Sequence, residues 1–429
     1  ASDFGVVIVA GEEQAMLGII TDRTIREWAA RGGDDAAAYE IMRAPVAVVP
    51  EGALAFEADI AADRGRTDWV ALRSAQGVTG LSYRDPSRRN TSPGGLIQAI
   101  REARSAEEIR SLHDRLPLIA GEQCDAGIAP RMLVRICTAV ACTIIERYCA
   151  LAEADVGAPP CAYSFITLGS VARGEQTLVS DQDNAIIYQD GGSGGYFQEL
   201  GQRVCVLLNR TGYAYCDGRI MAKSERWCAP LSRWKEYYSA WAATGDPEDI
   251  LDLSIFFDLR AVSAESALAD DLRAHILRVL PGKKPLMHHL ARIAHGRRLP
   301  VGGLGALLSE TVDGIDVIDL KKIMLAAVDT ARVFALDAGL SAMDTRTRIA
   351  WMKDNGICAP SDGEAIIDAY DALMDMRIRH QMRCIRERRE PDNRIAVKGM
   401  NEFEHDTLRS AIARIALLQR LLEKEFSIS

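Results

Sequence analysis

The sequence predicts a mixed α/β core, preceded by a small α/β module and followed by an all-helical domain. Three observations carry this reading. Short apolar runs alternate with short helical ones through residues 1–86. A strand, a Gly-rich turn and a second strand follow one another between Tyr163 and Tyr188. Helical periodicity then fills the chain from Val317 onward. A chain of 429 residues exceeds a single compact core, so about two to four domains are expected.

In the first module Val6 to Val9, Gly18-Ile19-Ile20, Val46 to Val49 and Trp69 to Leu72 read as strands, with helices at Thr24 to Ala30 and Leu54 to Ala62. Two stretches repeat, Met16 to Arg23 and Val78 to Asp85, each a glycine, an apolar turn into a hydroxyl residue, then charge. The repeat resembles a tandem pair of CBS (cystathionine beta-synthase) domains over residues 1–86, with Glu40 to Val46 matching the usual start of a second repeat and the first repeat lacking its front half. The resemblance implies a Gly-x-Thr/Ser-x-x-Asp signature whose hydroxyl meets a phosphate or ribose and whose acid holds ribose hydroxyls. Gly80, Ser82 and Asp85 keep it, so an adenine nucleotide and a homodimer built on the pair are expected; the first copy has Gly18 and Thr21 but Thr24 in the place of the acid.

From Asp85 to Gly95 the chain is rich in turn formers, which predicts a linker after residue 86 and a second module over residues 93–282. Helical patterns lead into it at Leu96 to Ala120 and Pro130 to Glu153, the second with Leu133, Ile136, Val140, Ile144 and Tyr148 on one face. Tyr163 to Leu168 is then a strand that ends in Gly169-Ser170-Val171-Ala172-Arg173-Gly174-Glu175, before a second strand around Asp183 to Tyr188. Side chains alternate along a strand, so Asp181 and Asp183 face one side with about 6.6 Å between their backbones. Two carboxylates so placed suit Mg²⁺ or Mn²⁺, hard cations whose remaining ligands come from water and phosphate. Gly169 permits close backbone approach, Ser170 offers donors and Arg173 can neutralise a phosphate oxygen. No Gly-Lys-Ser/Thr follows, which excludes a Walker A loop, and no Gly-x-Ser-x-Gly elbow is present for a serine nucleophile.

A hydrophobic strand, Gly-Ser and then Ser180-Asp181-x-Asp183 resembles the nucleotidyltransferases of the DNA polymerase beta superfamily. Gly169-Ser170-x-x-Arg173-Gly174-Glu175 with Ser180-Asp181-Gln182-Asp183-Asn184 is most similar to the bacterial branch related to PII-protein uridylyltransferase, whose members often carry CBS domains in front. The similarity continues through Tyr215 to Ala222, Trp234 and Ile255 to Arg260. It implies a polymerase-beta-like mixed sheet, nucleotide contacts from Gly169, Ser170, Arg173 and Glu175, and metal ligation by Asp181 and Asp183. It also implies a third carboxylate in an acid-x-Arg setting, which Asp258-Leu259-Arg260 matches, with Asp217 as the rival. The activity implied is transfer of a nucleoside monophosphate from a nucleoside triphosphate to a hydroxyl of a protein or a small molecule, with release of pyrophosphate, in signal transduction.

The third module, residues 283–429, shows helical periodicity at Val317 to Ala338, Asp344 to Asp354, Asp362 to Arg388 and Glu404 to Phe426, with Gly339 and Gly356 as terminators. Asp319-Leu320-Lys321-Lys322 resembles an Asp-Leu-Lys element of the same branch, which implies that Lys321 contacts the polyphosphate. The basic stretch from Arg377 to Arg389 either shapes the approach of an anionic substrate or coats a helix, the second reading being favoured; His288, His289 and His295 read as helix surface or core residues, Gly191 to Gly195 as a flexible connection, and Leu299 to Gly305 as a loop.

No apolar run approaches the roughly 20 residues of a membrane span. The ten cysteines are scattered singly and the first residues lack the organisation of a signal peptide, so a reduced, cytoplasmic protein is expected. A formal net charge of −9 works against nucleic acid as a partner. The rival from another class is a non-catalytic CBS-type nucleotide sensor or dimerisation module, against which the retention of Asp181, Asp183 and Arg173 argues.

Overall fold

The computed structural model describes residues 6–10, 16–31, 36–43, 46–51, 53, 57–58, 61–62, 69–74, 77–83, 92–243, 255–264, 266–302 and 306–428. It divides into two compact units, residues 1–102 and 103–429.

In the first unit β1 (Val6–Ala10) pairs antiparallel with β2 (Met16–Thr21), which runs into α1 (Asp22–Ala29). Thr21 starts that helix with a capping box: its Oγ1 accepts from the Thr24 amide at 3.2 Å and Thr24 Oγ1 accepts from the Thr21 amide at 2.8 Å. After α2 (Ala38–Ile41), strands β3 (Ala47–Pro50), β4 (Trp69–Ser74) and β5 (Gly77–Tyr83) form a sheet, β3 parallel and β5 antiparallel to β4. Val49, Ala58, Ala62 and Val70 make its buried core. A short helix, α3 (Pro93–Glu102), ends the unit. Asp85, most of the expected linker and part of the expected helix Leu54 to Ala62 lie outside the described residues, as does the side chain of Ser82.

The second unit opens with α4 (Ala106–His113), α5 (Leu116–Asp125) and α6 (Pro130–Val156). A four-stranded sheet follows in the order β10-β8-β6-β11, from β6 (Tyr163–Leu168), β8 (Asn184–Tyr188), β10 (Cys228–Pro230) and β11 (Leu259–Ala264). Every residue of β6 and β8 is buried, the polar Ser164, Thr167 and Asn184 included, so neither strand alternates between a buried and an exposed face. Between them lie α7 (Gly169–Arg173) and β7 (Asp181–Gln182), the latter pairing parallel with β9 (Ala214–Tyr215). The helices α8 (Gly194–Thr211), α9 (Leu231–Ala243) and α10 (Ala267–Val279) pack on this sheet.

An aromatic cluster of Trp227, Trp234, Trp241 and Phe256 fixes the approach to β11. Trp234 Nε1 donates to the Ile186 carbonyl at 3.0 Å and Tyr238 donates its hydroxyl to the Phe256 carbonyl at 2.6 Å, so the polar tips of these rings are satisfied inside the core.

The rest of the unit is helical: α11 (Lys284–His295), α12 (Leu320–Asp337), α13 (Thr345–Asp354), α14 (Pro360–Arg386) and α15 (Glu402–Phe426). A small antiparallel sheet of β12 (Glu310–Val312), β13 (Ile315–Asp319) and β14 (Arg394–Ala396) sits among them. This corrects the helix expected from Val317: Val317, Ile318 and Asp319 are strand, because a short apolar run fits either period and β14, distant in sequence, supplies its partner. The helix begins at Leu320 because the Asp319 carboxylate accepts from the Lys322 amide at 3.2 Å. It is buried almost all round, against α11, α13, α14 and α15.

Candidate active site

The paired acids owe their direction to the residues beside them. Gln182 and Asn184 are buried: Gln182 Nε2 donates to the Cys205 and Tyr213 carbonyls, both at 3.1 Å, while Asn184 Oδ1 accepts from the Ala222 amide at 2.8 Å. Alternation then turns Asp181 and Asp183 the other way. The β7–β9 register sets Asp181 against Ala214 and Gln182 against Tyr215, and one step further brings Cys216 to Asp183. Ligand atoms of Asp181, Asp183 and Cys216 all lie within 4.8 Å of one another.

Burial raises the pKa of the Asp183 carboxyl and the charge of Asp181 raises it further, against the opposing effects of a Cys216 hydrogen bond and of Lys321 and Arg173. Burial likewise pushes the Cys216 thiol up to about 11, with the neighbouring Asp183 adding to it. The donor set therefore offers two hard carboxylates and a protonated, soft sulfur. These residues fit Mg²⁺ or Mn²⁺, which Asp181 and Asp183 would hold, and Cys216 donates to Asp183. Cys216 belongs to the segment Tyr215 to Ala222 that carries the family resemblance, and the pairing of β9 with β7 gives it its place beside the acids.

Gly169 has a φ of 56° in the left-handed region, and a Cβ built there would stand 3.1 Å from Asp183 Oδ2. A glycine is what lets the end of β6 and the second acid approach. The Leu168 amide donates to the Asp183 carbonyl at 3.0 Å and holds the two segments in register. Ser170 is half-buried, its Oγ 3.5 Å from that of Ser180.

Arg173 and Glu175 are buried in the wall of the cleft beside the acids, and Asp258 lies behind them. Asp258 is fully buried: its Oδ2 accepts from Arg173 Nη1 at 3.0 Å and Arg332 Nη2 at 2.8 Å, and its Oδ1 from Arg348 Nη2 at 2.5 Å. Burial alone would raise its pKa, but Arg332, Arg348 and Arg173 outweigh that and hold the carboxyl well below the usual range. Arg173 also donates from Nε to Glu175 Oε2 at 2.8 Å, and Glu175 in turn accepts from the Thr345 amide at 2.8 Å and the Tyr370 hydroxyl at 3.0 Å. This corrects two expectations. Asp258 is saturated by three guanidinium groups and does not join the converging acids, and Arg173 with Glu175 is engaged in holding the sheet to the helical bundle. Asp217, the rival for the third carboxylate, is exposed and also outside the converging group.

A cleft with about 420 Å³ of empty space, open to solvent, runs between the sheet and the bundle. Ser170, Arg173, Glu175 and Ser180 line one side, and Lys321, Met374 and Arg377 the other. Lys321, half-exposed, places Nζ 3.4 Å from Asp181 Oδ1. Gly169, Ser170, Asp181, Asp183 and Lys321 are thus brought together. Arg377, read from sequence as one more residue of a basic coat, is instead buried in the wall. Its neighbours do coat the helix, as Arg379 with Asp375 and Arg386 with Asp125 show. His288 and His295 likewise take structural partners, the Phe426 carbonyl and Glu423.

Residues 114–248 match the family described as "Putative nucleotidyltransferase DUF294", and residues 284–426 match the one described as "Putative nucleotidyltransferase substrate binding domain". The first match contains Gly169, Ser170, Asp181 and Asp183; the second contains Lys321 and Arg377. Together they support a nucleotidyltransferase family for this chain, in which a mixed α/β domain precedes a helical one. No curated protein matches the chain. Among the described residues no helix is long and apolar enough to cross a membrane.

Proposed function

We propose that this chain is a Mg²⁺- or Mn²⁺-dependent nucleotidyltransferase that moves a nucleoside monophosphate from a nucleoside triphosphate to a hydroxyl acceptor in the cleft between the α/β sheet and the C-terminal bundle. The observation that carries this is the convergence of Asp181 and Asp183 beside Gly169, inside the segment matched to a nucleotidyltransferase domain. In the reaction the acceptor oxygen forms a bond to the α-phosphorus and loses its proton to solvent, the bond from that phosphorus to the α,β-bridging oxygen breaks, and pyrophosphate leaves with the electron pair. Asp181 and Asp183 would hold the cation, which when bound neutralises phosphate charge and makes the acceptor hydroxyl a better nucleophile.

The chain's own residues supply the rest. Gly169 and Ser170 offer backbone and hydroxyl donors to the phosphates, and Lys321 stands with Nζ 3.4 Å from Asp181. Asp258 acts at a distance, by fixing Arg173 and through it the Gly169–Glu175 turn. The acceptor, by resemblance to the PII-modifying enzymes, is a protein side chain or a small hydroxylated molecule. The N-terminal unit is read as a regulatory CBS-type module for an adenine nucleotide. Among the described residues a Cβ at Gly80 would meet ordinary contact with Leu72. Thr21 is engaged in its helix cap, which leaves the second repeat as the half-site.

Incubation of the protein with each α-labelled triphosphate, Mg²⁺ and host lysate tests the proposal. Label should move to a protein band or a small molecule from one triphosphate, and stop with Asp181→Asn/Asp183→Asn; absence of transfer from all four would overturn it.

A further inference from the structure

Four arginines are buried among the described residues: Arg173, Arg332, Arg348 and Arg377. The first three converge on Asp258. Arg377 has no such anchor. Its Nε donates to the neutral amide oxygen of Asn393 at 2.6 Å, and among the described residues it forms no ion pair. A guanidinium taken out of water without an anion is costly, and folds keep such a group where something else supplies the charge.

Arg377 is also held in place. Asn393 Oδ1 accepts from Gln381 Nε2 at 3.0 Å as well, and the Asn393 carbonyl accepts from the Leu320 amide at 2.9 Å. One residue thus ties Arg377 on α14 to the first turn of α12, where Lys321 sits. Lys321 and Lys322 occupy that turn directly after the Asp319 cap; Lys322 is paired with Glu310, and Lys321 stands where the helix dipole favours negative charge. Both Arg377 and Lys321 line the cleft, together with Ser170 and Ser180. Burial lowers the pKa of Arg377 and Arg173 adds to this, while Tyr370, Asp319 and Asp181 oppose it; the group stays a cation throughout the accessible range.

We propose that Arg377 receives the terminal phosphates of the triphosphate, forming with Lys321 a two-cation clamp on the part that leaves as pyrophosphate. Arg173, the sequence-based candidate for that contact, shares the cleft wall, but its Nε and Nη1 are already engaged by Glu175 and Asp258, whereas Arg377 has no carboxylate partner among the described residues. The planar fork of an arginine suits adjacent phosphate oxygens, and Asn393 fixes one edge of it so that the remainder is preset. The assignment rests on the nucleotidyltransferase reading for the identity of the ligand.

The test is equilibrium binding of inorganic tripolyphosphate and of orthophosphate to the full chain and to Arg377→Gln and Arg377→Lys, with thermal melts as the check on folding. Arg377→Gln should weaken tripolyphosphate about 10- to 100-fold, the worth of charge-assisted hydrogen bonds, while orthophosphate changes little. Arg377→Lys, which keeps the charge and loses the fork, should fall between, and decides the matter if the Gln variant does not fold. Unaltered tripolyphosphate binding, or an equal loss for both anions, would overturn the clamp. Nucleotide transfer is followed in the same preparations. Wild-type transfer with tripolyphosphate binding indifferent to Arg377 sinks the clamp and leaves the transferase; Arg377-dependent binding without transfer sinks the transferase reading and leaves an anion site.

Discussion

Asp258 Oδ2 lies 2.8 Å from Arg332 Nη2, and this buried ion pair joins the strand-bearing part of the second unit to its helical part. Arg173 and Arg348 close on the same carboxylate, so a single acid orders three guanidinium groups. Replacing it should be far more damaging to the fold than replacing either cleft acid. Asp258→Asn is expected to cost about 3–5 kcal/mol, the loss typical of a buried pair broken on one side, and to be read in denaturant melts. The pH dependence has a definite sign. The native carboxyl titrates below its unfolded value of about 3.9, so at acid pH the unfolded chain binds the proton first. The difference between wild type and Asp258→Asn should be constant near neutrality and shrink as pH falls through the usual carboxylate range toward the depressed native value.

Gly169→Ala should separate chemistry from stability. A left-handed φ costs a non-glycine residue about 1–2 kcal/mol, and the added methyl must displace Asp183 Oδ2 from 3.1 Å. Transfer should drop by about 100-fold or more, as expected when reacting groups shift by a fraction of an ångström to an ångström, with a fall in melting temperature of only a few degrees. Kinetics and a thermal scan on one preparation check both.

What the sequence disclosed, and what it hid, follows sequence distance. Tyr163 to Leu168, the Gly169-Ser170 turn and the Asp181/Asp183 pair are set by neighbours in the chain: a buried apolar run, a glycine where φ is positive, and strand alternation around Gln182 and Asn184. Asp258 was misplaced because its partners lie 74 and 90 residues further on, and an acid-x-Arg pattern does not say which arginines will reach it. Val317 to Asp319 was read as helix since its strand partner, Arg394 to Ala396, comes after three more helices. Arg377 was hidden in a run of basic residues; its burial is a property of the packed helix, though its position among apolar residues such as Leu373, Met374 and Ile378 was a usable signal.

Lys321→Ala should leave the melting temperature unchanged or slightly higher, because a cation in the first turn of α12 opposes the helix dipole. The KM for the triphosphate should rise about 10-fold with a smaller change in kcat, the mark of a contact made to the substrate before the reaction as well as during it. Steady-state kinetics on the triphosphate identified by label transfer distinguish the two parameters.

Mn²⁺ binding followed by electron paramagnetic resonance, with and without triphosphate, tests most directly whether Asp181 and Asp183 form the metal site of a transfer reaction. In the wild type, triphosphate should tighten Mn²⁺ binding, and Asp183→Asn should weaken the ternary complex at least 10-fold, the lower end of what a lost charged ligand costs, while the protein stays folded. Mn²⁺ that binds Asp183→Asn and wild type alike, or that ignores the triphosphate, would contradict the account.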